Sequence, residues 1–353
     1  MGEYPRDLPN RAGVVVPHEA SNVTMADVGA IAGVSARTVS NVLSDHPSVR
    51  PETRERVLRA VDQLGYRMNT SARSLKTGRT GAITLAIPDL GIDYFSELAS
   101  RIMVESERHG WSVVIQQTGA RRETEIAILS GARRQLSDGL IFQPHALGPG
   151  DERYLAGNDR LVILGDRIFN GPVDHVAMAN TEAARIATQY LIDRGRTRIA
   201  AIGSNPNVGT VSAASLRLEG YLQAMRASGL PIPPERIVVA EEWHLRDGAA
   251  AMSHLLNLEE RPDAVFCFND TLAIGALHTI ATAGLRVPDD IAVVGFDNVP
   301  ASQYAFPPLT TIEPGTDQIA KHAVELLAAR VSGRDDPPRE IFTDCSLIVR
   351  RSA

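Results

Sequence analysis

The feature that most constrains the fold is a regular alternation of apolar runs and amphipathic stretches that begins at Ala82. Eight apolar runs have the length of buried strands, at residues 82–88, 111–116, 139–142, 161–165, 198–202, 237–240, 264–268 and 291–296. Between them lie stretches with helical spacing of apolar residues, among them 95–109, 181–194, 215–228, 271–283 and 316–331. This β-α-β alternation predicts α/β domains with doubly wound parallel sheets.

The series is too long for one sheet, so the sequence predicts two lobes with a break near Asn180. We interpret residues 307–311 as a crossing from the second lobe back to the first. The predicted first lobe comprises residues 81–179 and 314–342, and the second comprises residues 180–313 and 343–353. Ligands of such folds bind at the carboxyl ends of the strands, which predicts a ligand site in the cleft between the lobes.

Residues 22–67 have a different pattern, typical of three short helices. Thr24 can cap the first helix with help from Asp27, and Gly33 can end it. Ser35 can cap a second helix, and Pro51 begins a third that stops at Gly65. The predicted inward side chains are Met25, Val28, Ile31, Ala32, Val39, Val42, Leu43, Val57, Val61 and Leu64. Spacing alone is equally compatible with a helix-turn-helix unit and with a plain three-helix bundle.

If the second helix enters a DNA major groove, its outward side chains would meet the bases and the backbone. The outward positions are Ala36, Arg37, Thr38, Ser40 and Asn41. Arginine can grip a guanine edge with two hydrogen bonds, and asparagine can do the same for adenine. The hydroxyls of Thr38 and Ser40 suit phosphate oxygens.

The charge distribution favours a local nucleic-acid surface over a protein that coats DNA. The whole chain carries −6, but residues 22–80 carry nine Lys/Arg against five Asp/Glu. A basic head on an acidic body suits a phosphate-binding surface, although a charge run is more often a solvated face. Residues 1–21 lack the pattern of a secretory signal, which predicts a disordered extension on a cytoplasmic protein. We also expect Cys267 and Cys345 to be buried free thiols.

Several short motifs in residues 23–66 resemble the N-terminal domain of the LacI/GalR family of bacterial transcriptional repressors. The resemblance is carried by Asp27-Val28, Ala32-Gly33-Val34-Ser35, Thr38-Val39-Ser40, Thr53-Arg54 and Leu64-Gly65-Tyr66. The chain departs from the family at Gly29, Arg50 and Met68, where alanine, serine and proline are usual. Gly29 should lower the stability of its helix by about 1 kcal/mol relative to alanine. The resemblance adds Thr24, Ser35 and Arg54 to the expected DNA contacts.

The same resemblance implies that residues 68–80 contain a hinge helix and a linker. The residues expected to meet operator DNA there are Asn69, Ala72, Arg73, Leu75 and Lys76. Leu75 matches the position that wedges into the minor groove, where unstacking one base step bends DNA onto more protein surface. Arg73 and Lys76 would contact phosphates.

The body resembles the periplasmic-binding-protein-like body of the family almost to Ala353. Residues at the positions of Asp166, Arg217, Asn269 and Asp297 line the effector pocket in that family. Further candidates are Asp89, Gln143 and the ring pair Tyr94 and Phe95; we expect Asp270 to cap a helix. Each alone is better explained as a strand-end cap or a surface ion pair, but their recurrence at several strand ends favours a ligand site. Carboxylates that accept and Arg and Asn side chains that donate suit a polyhydroxylated ligand.

The leading hypothesis is therefore a ligand-responsive transcriptional regulator, with repression as the favoured mode. It would bind a palindromic operator as a homodimer, respond to a small-molecule effector such as a sugar, and associate with the nucleoid when bound to DNA. The alternatives are a solute-binding protein for sugar uptake or chemotaxis and a sugar-modifying enzyme. The chain has no Gly-x-Ser-x-Gly elbow, P-loop, His-Glu-x-x-His or Cys-x-x-Cys motif, so we expect neither catalysis nor a cofactor or metal.

Overall fold

The computed structural model describes residues 23–44, 46–66, 79–131, 137–205 and 211–353. The predictions for the extension (residues 1–21), for Met68 and for the hinge residues Asn69, Ala72, Arg73, Leu75 and Lys76 lie outside these ranges. The chain divides into two units, residues 1–77 and residues 78–353, which are described separately.

The described part of the first unit is a three-helix domain. Its helices are α1 (Met25–Ala32), α2 (Ala36–Leu43) and α3 (Pro51–Leu64). The expected caps are confirmed, because Thr24 and Asp27 form a capping box, the Ser35 hydroxyl accepts from the Thr38 N–H, and Pro51 begins α3. Gly33 and Gly65 end α1 and α3 in the left-handed conformation that glycine adopts without strain.

The core of this domain differs from the predicted one at Ile31. Val28, Val39 and Val57 are fully buried, as expected, but the Ile31 side chain is 48% exposed. The buried face of α1 is centred on Val28 and Ala32, and a step of about 100° per residue places Ile31 at its edge. Ile31 was therefore wrongly assigned to the core.

The second unit contains two six-stranded sheets. The strands are β1 (Ala82–Ile87), β2 (Ser112–Gln117), β3 (Leu140–Phe142), β4 (Leu161–Leu164), β5 (Asp174–Met178), β6 (Ile199–Ser204), β7 (Ile237–Val239), β8 (Ala264–Cys267), β9 (Ala292–Phe296), β10 (Thr310–Glu313), β11 (Glu340–Thr343) and β12 (Ser346–Ile348). The first sheet has the order β11-β5-β4-β3-β1-β2, and the second has the order β12-β10-β9-β8-β6-β7. All neighbouring strands run parallel except β10 and β12. The doubly wound α/β class is confirmed.

Helices follow most of the strands and cover the sheets. They are α4 (Asp93–Glu107), α5 (Arg122–Leu129), α6 (Asn180–Asp193), α7 (Ala213–Ala227), α8 (Leu245–Leu256), α9 (Asp270–Thr282), α10 (Pro300–Tyr304) and α11 (Thr316–Val331). None of the helices in the described ranges is long and apolar enough to cross a membrane.

The chain passes between the two sheets at three places, and one of them corrects the sequence analysis. Residues 307–311 were interpreted as a crossing, but Thr310 and Thr311 begin β10, which pairs with β9 in the second sheet. The crossing follows at Pro314 and Gly315, before α11 packs against the first sheet. Two prolines lie just before β10, and such a pair is typical of a connection between elements, although here it lies within the second lobe.

The strands absent from the predicted set are β5, β10, β11 and β12. They are only three to five residues long, and polar residues interrupt their apolar pattern. Cys267 lies buried in β8 as expected, whereas Cys345 lies between β11 and β12 and is half-buried; both thiols are free.

Candidate functional site

The candidate nucleic-acid surface lies on α2 and its N-terminal cap. Ser35, Ala36 and Arg37 are exposed, and Thr38, Ser40 and Asn41 are half-buried. The Thr38 hydroxyl lies 3.0 Å from the Ser35 hydroxyl, so these two side chains support each other. This arrangement leaves Arg37 on the outer face of a capped helix, and its contact with DNA stays a prediction.

Two other expected DNA contacts have structural partners within the domain. Thr24 is exposed, and its backbone N–H donates to Asp27 Oδ2 at 2.8 Å. Arg54 donates from Nη2 to the His46 carbonyl oxygen at 3.4 Å and so holds the loop between α2 and α3. Neither arrangement excludes a phosphate contact, and both residues remain candidates.

The second candidate site is a cavity of about 400 Å³ between the two sheets of the body. It lies beyond the carboxyl ends of the parallel strands, where ligands of such folds bind. All eight residues predicted to contact an effector line it: Asp89, Tyr94, Phe95, Gln143, Asp166, Arg217, Asn269 and Asp297. The structure thus brings the whole set together, and their contact with a ligand stays a prediction.

Arg217 is the buried cation of this cavity. Its Nε donates to Asn180 Oδ1 at 2.7 Å, and its Nη1 donates to the Phe268 carbonyl oxygen. The guanidinium carbon lies 3.5 Å from the ring centroid of Phe296 and 5.4 Å from that of Trp243. These contacts fix the orientation of the guanidinium without neutralising it.

Two buried carboxylates face this cation without being fully paired. Asp297 Oδ1 lies 3.6 Å from Arg217 Nη2, which is beyond hydrogen-bonding distance. Asp166 Oδ1 is also buried and accepts no hydrogen bond. Burial raises the pKa of Asp297 to about 7 and raises that of Asp166, and the charge of Arg217 opposes both shifts.

Two amide side chains add further unpartnered atoms. Gln143 Oε1 and Asn180 Nδ2 are buried and have no hydrogen-bond partner. Buried polar groups normally have partners, because leaving one unsatisfied costs about 1–3 kcal/mol. Atoms of this kind around one cavity are the pattern expected of a site whose partners arrive with a ligand.

The backbone at the site is strained at three residues of the cavity wall, of which Ala120 has φ +52°. Asp297 has φ +105° and Trp243 has φ +58°, a region that residues other than glycine seldom occupy. Such conformations cost about 1–3 kcal/mol each and concentrate at functional sites. Trp243 is held there by a hydrogen bond of 3.0 Å from its Nε1 to the Gly203 carbonyl oxygen.

The residues at the start of α9 correct one prediction. Asn269, and not Asp270, is the N-cap, since its Oδ1 accepts from the Leu272 N–H at 2.8 Å. Its Nδ2 donates to the Trp243 carbonyl oxygen at 3.2 Å, so both ends of the amide already have partners. Asp270 is fully buried and accepts from the Val299 N–H and the Thr311 hydroxyl. Asn269 therefore positions Trp243, and a direct ligand contact by Asn269 remains a prediction.

Several residues of the cavity wall were not predicted from the sequence, including His145, Arg167, Met178, Trp243 and His244. The strand-end position that supported Asp166 could have found most of them, because they too follow strands. Trp243 and His244 come soon after β7, and His145 comes soon after β3.

Two contacts at the rim of the cavity join the lobes. His244 Nε2 of the second lobe lies 3.7 Å from Asp89 Oδ2 of the first. Arg167 of the first lobe donates from Nη1 to the Val211 carbonyl oxygen of the second at 2.9 Å. The lobes are thus held together across the opening of the cavity.

Comparisons with known proteins agree with this architecture. Residues 24–69 match the family described as "Bacterial regulatory proteins, lacI family", and residues 188–353 match "Periplasmic binding protein-like domain". The chain is 33% identical over 333 residues to the HTH-type transcriptional repressor PurR of Histophilus somni, covering 93% of this chain and 98% of that protein. The chain belongs to the LacI family.

Solved structures of this family match over nearly the whole chain. A lac repressor dimer bound to operator and the anti-inducer ONPF is 26% identical, covers 94% of this chain and 99% of its own, and has a TM-score of 0.77. A complex of the regulator CelR with cellobiose is 27% identical, covers 94% and 100%, and has a TM-score of 0.68. This LacI-family chain is accordingly a DNA-binding transcriptional regulator whose relatives are repressors and not enzymes.

Proposed function

We propose that this regulator binds a palindromic operator as a homodimer and that a neutral polyhydroxylated molecule, with a sugar as the first candidate, controls it from the interlobe cavity. The observation that carries the proposal is the set of unpartnered buried oxygens on three residues that line the cavity: Gln143 Oε1, Asp166 Oδ1 and Asp297 Oδ1. Each of these oxygens can accept a hydrogen bond from a hydroxyl group.

The charge of the cavity wall supports a neutral ligand over a phosphorylated one. The wall contains the acidic residues Asp89, Asp166, Glu241, Glu242 and Asp297 and the arginines Arg167 and Arg217. An added phosphate would meet this net negative charge in a partly buried space, where repulsion is weakly screened. The rings of Tyr94, Phe95 and Trp243 offer apolar surface for a sugar ring.

Two sets of contacts support coupling between ligand binding in the cavity and DNA binding: those at the rim of the cavity, and those that hold the end of the linker to the first lobe. A ligand that bridges the lobes would favour the closed state, in which His244 faces Asp89. The buried carboxylate of Asp138 accepts from the Thr80 N–H and hydroxyl and from the Gly81 N–H, so it ties the end of the linker to the first lobe. Lobe closure would then alter the spacing of the two linkers of a dimer, and operator and effector would affect each other's affinity reciprocally.

Homodimerisation is supported by exposed aromatic side chains on the second lobe. Tyr304 is 81% exposed at the end of α10, and Phe306 two residues later is 94% exposed. Aromatic side chains in the open are characteristic of interfaces. Two heads on a two-fold operator would add their contacts and set the half-site spacing. The lac repressor structure that this chain resembles is a dimer bound to operator.

A thermal-shift screen of the full chain tests the ligand class. The panel contains neutral mono- and disaccharides including cellobiose, their phosphorylated forms, nucleosides and amino acids. We expect stabilisation by a neutral sugar or nucleoside and none by the matching phosphate, because only a ligand of the native state raises the melting temperature. Stabilisation by phosphorylated sugars alone would contradict the proposal.

Arg217→Gln and Arg37→Ala separate the two sites. Arg217→Gln should abolish the thermal shift while leaving operator affinity within about twofold. Arg37→Ala should weaken binding to a palindrome selected from random DNA and leave the thermal shift intact. The division of roles is wrong if both variants lose both activities while remaining folded.

A further inference from the structure

A buried histidine behind the cavity has no role in the proposal so far. We propose that His175, as an imidazolium held between the Gly165 carbonyl and the Glu340 carboxylate, is a positioning residue that fixes the turn carrying Asp166 and keeps Asp166 an acceptor. This inference rests on the proposed function in one respect, namely that Asp166 contacts the ligand.

The geometry of His175 is unusual for a buried histidine. The residue is only 1% exposed and lies in β5, between β4 and β11. Its Nε2 lies 2.6 Å from the Gly165 carbonyl oxygen, and its Nδ1 lies 2.9 Å from Glu340 Oε1. Both ring nitrogens therefore face acceptors at hydrogen-bonding distance.

These two contacts determine whether the imidazole ring carries one proton or two. A neutral imidazole has one donor nitrogen and one acceptor nitrogen, so it would leave two lone pairs facing each other on one side. A protonated Glu340 could in principle donate instead. Burial raises the pKa of Glu340, but hydrogen bonds from His175 and from the Asn170 N–H lower it by more, which keeps the carboxylate ionised. The ring must then carry a proton on each nitrogen.

Gly165 links the imidazolium to the cavity. It directly follows β4, has φ +83°, and donates from its N–H to the Val176 carbonyl oxygen at 3.0 Å. A Cβ at this position would lie 2.9 Å from Gln143 Nε2, so the turn packs closely against a second cavity residue. The backbone of Gly165 is thus held by β5 on both its N–H and its carbonyl, and Asp166 starts from a fixed point.

The charge of His175 also acts on Asp166. Burial raises the pKa of Asp166; the charge of Arg217, the side chain of Asn180 and, as the smallest of the three, the charge of His175 lower it. Without the imidazolium, Asp166 would protonate more readily and could donate its own proton, which changes which ligand hydroxyls it can bind. His175 and Glu340 therefore influence recognition without touching the cavity.

Nuclear magnetic resonance of the full chain tests this arrangement without any effector. Chains labelled with ¹⁵N-histidine and ¹³C-aspartate are compared as the natural protein, Glu340→Gln and Glu325→Gln. His175→Gln and Asp166→Asn identify the two signals. We expect both ring nitrogens of His175 to be protonated at pH 7 in the natural protein, and one of them to lose its proton in Glu340→Gln. The Asp166 carboxyl should then titrate at a higher pH.

Glu325→Gln is the matched control, because Glu325 pairs with the half-buried His322 at 3.8 Å on α11. It should leave the signals of His175 and Asp166 unchanged. A neutral His175 in the natural protein, or an unchanged Asp166 titration in Glu340→Gln, would overturn the inference. If His175→Gln does not fold, the inference can still be tested with Glu340→Gln alone, because Glu340 lies on the partly exposed strand β11. A failed ligand screen would refute the proposed function and leave this result standing.

Discussion

Asp297 combines three properties that separately indicate a functional residue. It is buried, its pKa is raised to about 7, and its φ is +105°. Each of these makes the native state less stable than it could be, and none is needed to hold β9 in its sheet. The residue is thus kept in a state that a bound hydroxyl donor would improve.

Asp297→Asn should therefore stabilise the protein in a pH-dependent way. The native pKa of about 7 lies above the ordinary value of 3.8, so between these values the native state binds more protons than the unfolded state. The stabilisation due to the protonated carboxyl is complete below pH 4 and is lost as pH rises to 7. We expect the free-energy advantage of the asparagine variant to grow by up to about 1.4 kcal/mol per pH unit in that window. Urea unfolding of both proteins at pH 5 and pH 8 measures it, and an advantage that shrinks as pH rises would contradict it.

Gly29 shows that the local packing can reverse a propensity argument. Propensity alone says that Gly29→Ala should stabilise α1 by about 1 kcal/mol. However, a Cβ at position 29 would lie 2.6 Å from the Val34 carbonyl oxygen, at the turn where the Val34 N–H donates to the Gly29 carbonyl oxygen. We expect the variant to lower the unfolding free energy of the head, measured by circular dichroism. Ala30→Gly on the exposed side of α1 is the control and should show only the ordinary loss of about 1 kcal/mol. A more stable Gly29→Ala protein would show that the turn yields without penalty.

Among the secondary-structure elements, both sheets use an aspartate just before one strand to hold the backbone that leads into the neighbouring strand. Asp138, just before β3, accepts from Thr80 and Gly81 ahead of β1, and Asp263, just before β8, accepts from the N–H groups of Thr197 and Arg198 ahead of β6. Of these two carboxylates, only Asp138 binds the residues at which the linker enters the body, Thr80 and Gly81. The two positions therefore form a natural comparison between an anchor that could transmit motion and one that only supports its lobe.

Asp138→Asn should weaken communication between the cavity and DNA. Thr80 donates to Oδ1 and Gly81 donates to Oδ2, and in asparagine one of these two positions is an NH2 group that cannot accept, so one of the contacts is lost. We expect the effect of a stabilising sugar on operator affinity to fall several-fold while the affinity for the sugar itself is unchanged. Fluorescence anisotropy with labelled operator, with and without the sugar, measures this coupling. Asp263→Asn should preserve the coupling, and equal losses in both variants would show that Asp138 only stabilises its lobe.

At the scale of the whole molecule, the exposed aromatic residues of the second lobe predict how two copies meet. Phe306→Ser should raise the dimer dissociation constant on the order of 30-fold or more, since central aromatic residues carry much of the energy of an interface. Analytical ultracentrifugation measures the change. Phe342→Ser is the control, because Phe342 is also exposed but lies on β11 of the first lobe. Operator affinity should fall with dimerisation in the Phe306 variant only, and an undiminished dimer would place the interface elsewhere.

Features that depend on neighbours along the chain could be predicted from the sequence. Helix caps such as Thr24 and Ser35, the glycines that end helices, and the long apolar strands follow from local hydrogen bonding and periodicity, so these predictions were confirmed. The family resemblance pointed to Asp166 and Asp297, and their positions at strand ends supported it, because the ends of parallel strands meet at one edge of a sheet. Short strands such as β10 and β12 were missed, since three or four residues carry too little pattern.

The partners of each of these side chains became known only from the three-dimensional fold. Asn269 proved to have both amide ends occupied, whereas Asp166 and Asp297 were left without full partners. The burial that raises the pKa of Asp297, the turn that crowds Gly29, and the placement of His175 between Gly165 and Glu340 all join segments distant in sequence. Hydrogen-bond pairing and desolvation depend on which atoms are close in the folded protein. The periodicity of the sequence does not specify contacts between segments that are distant along the chain.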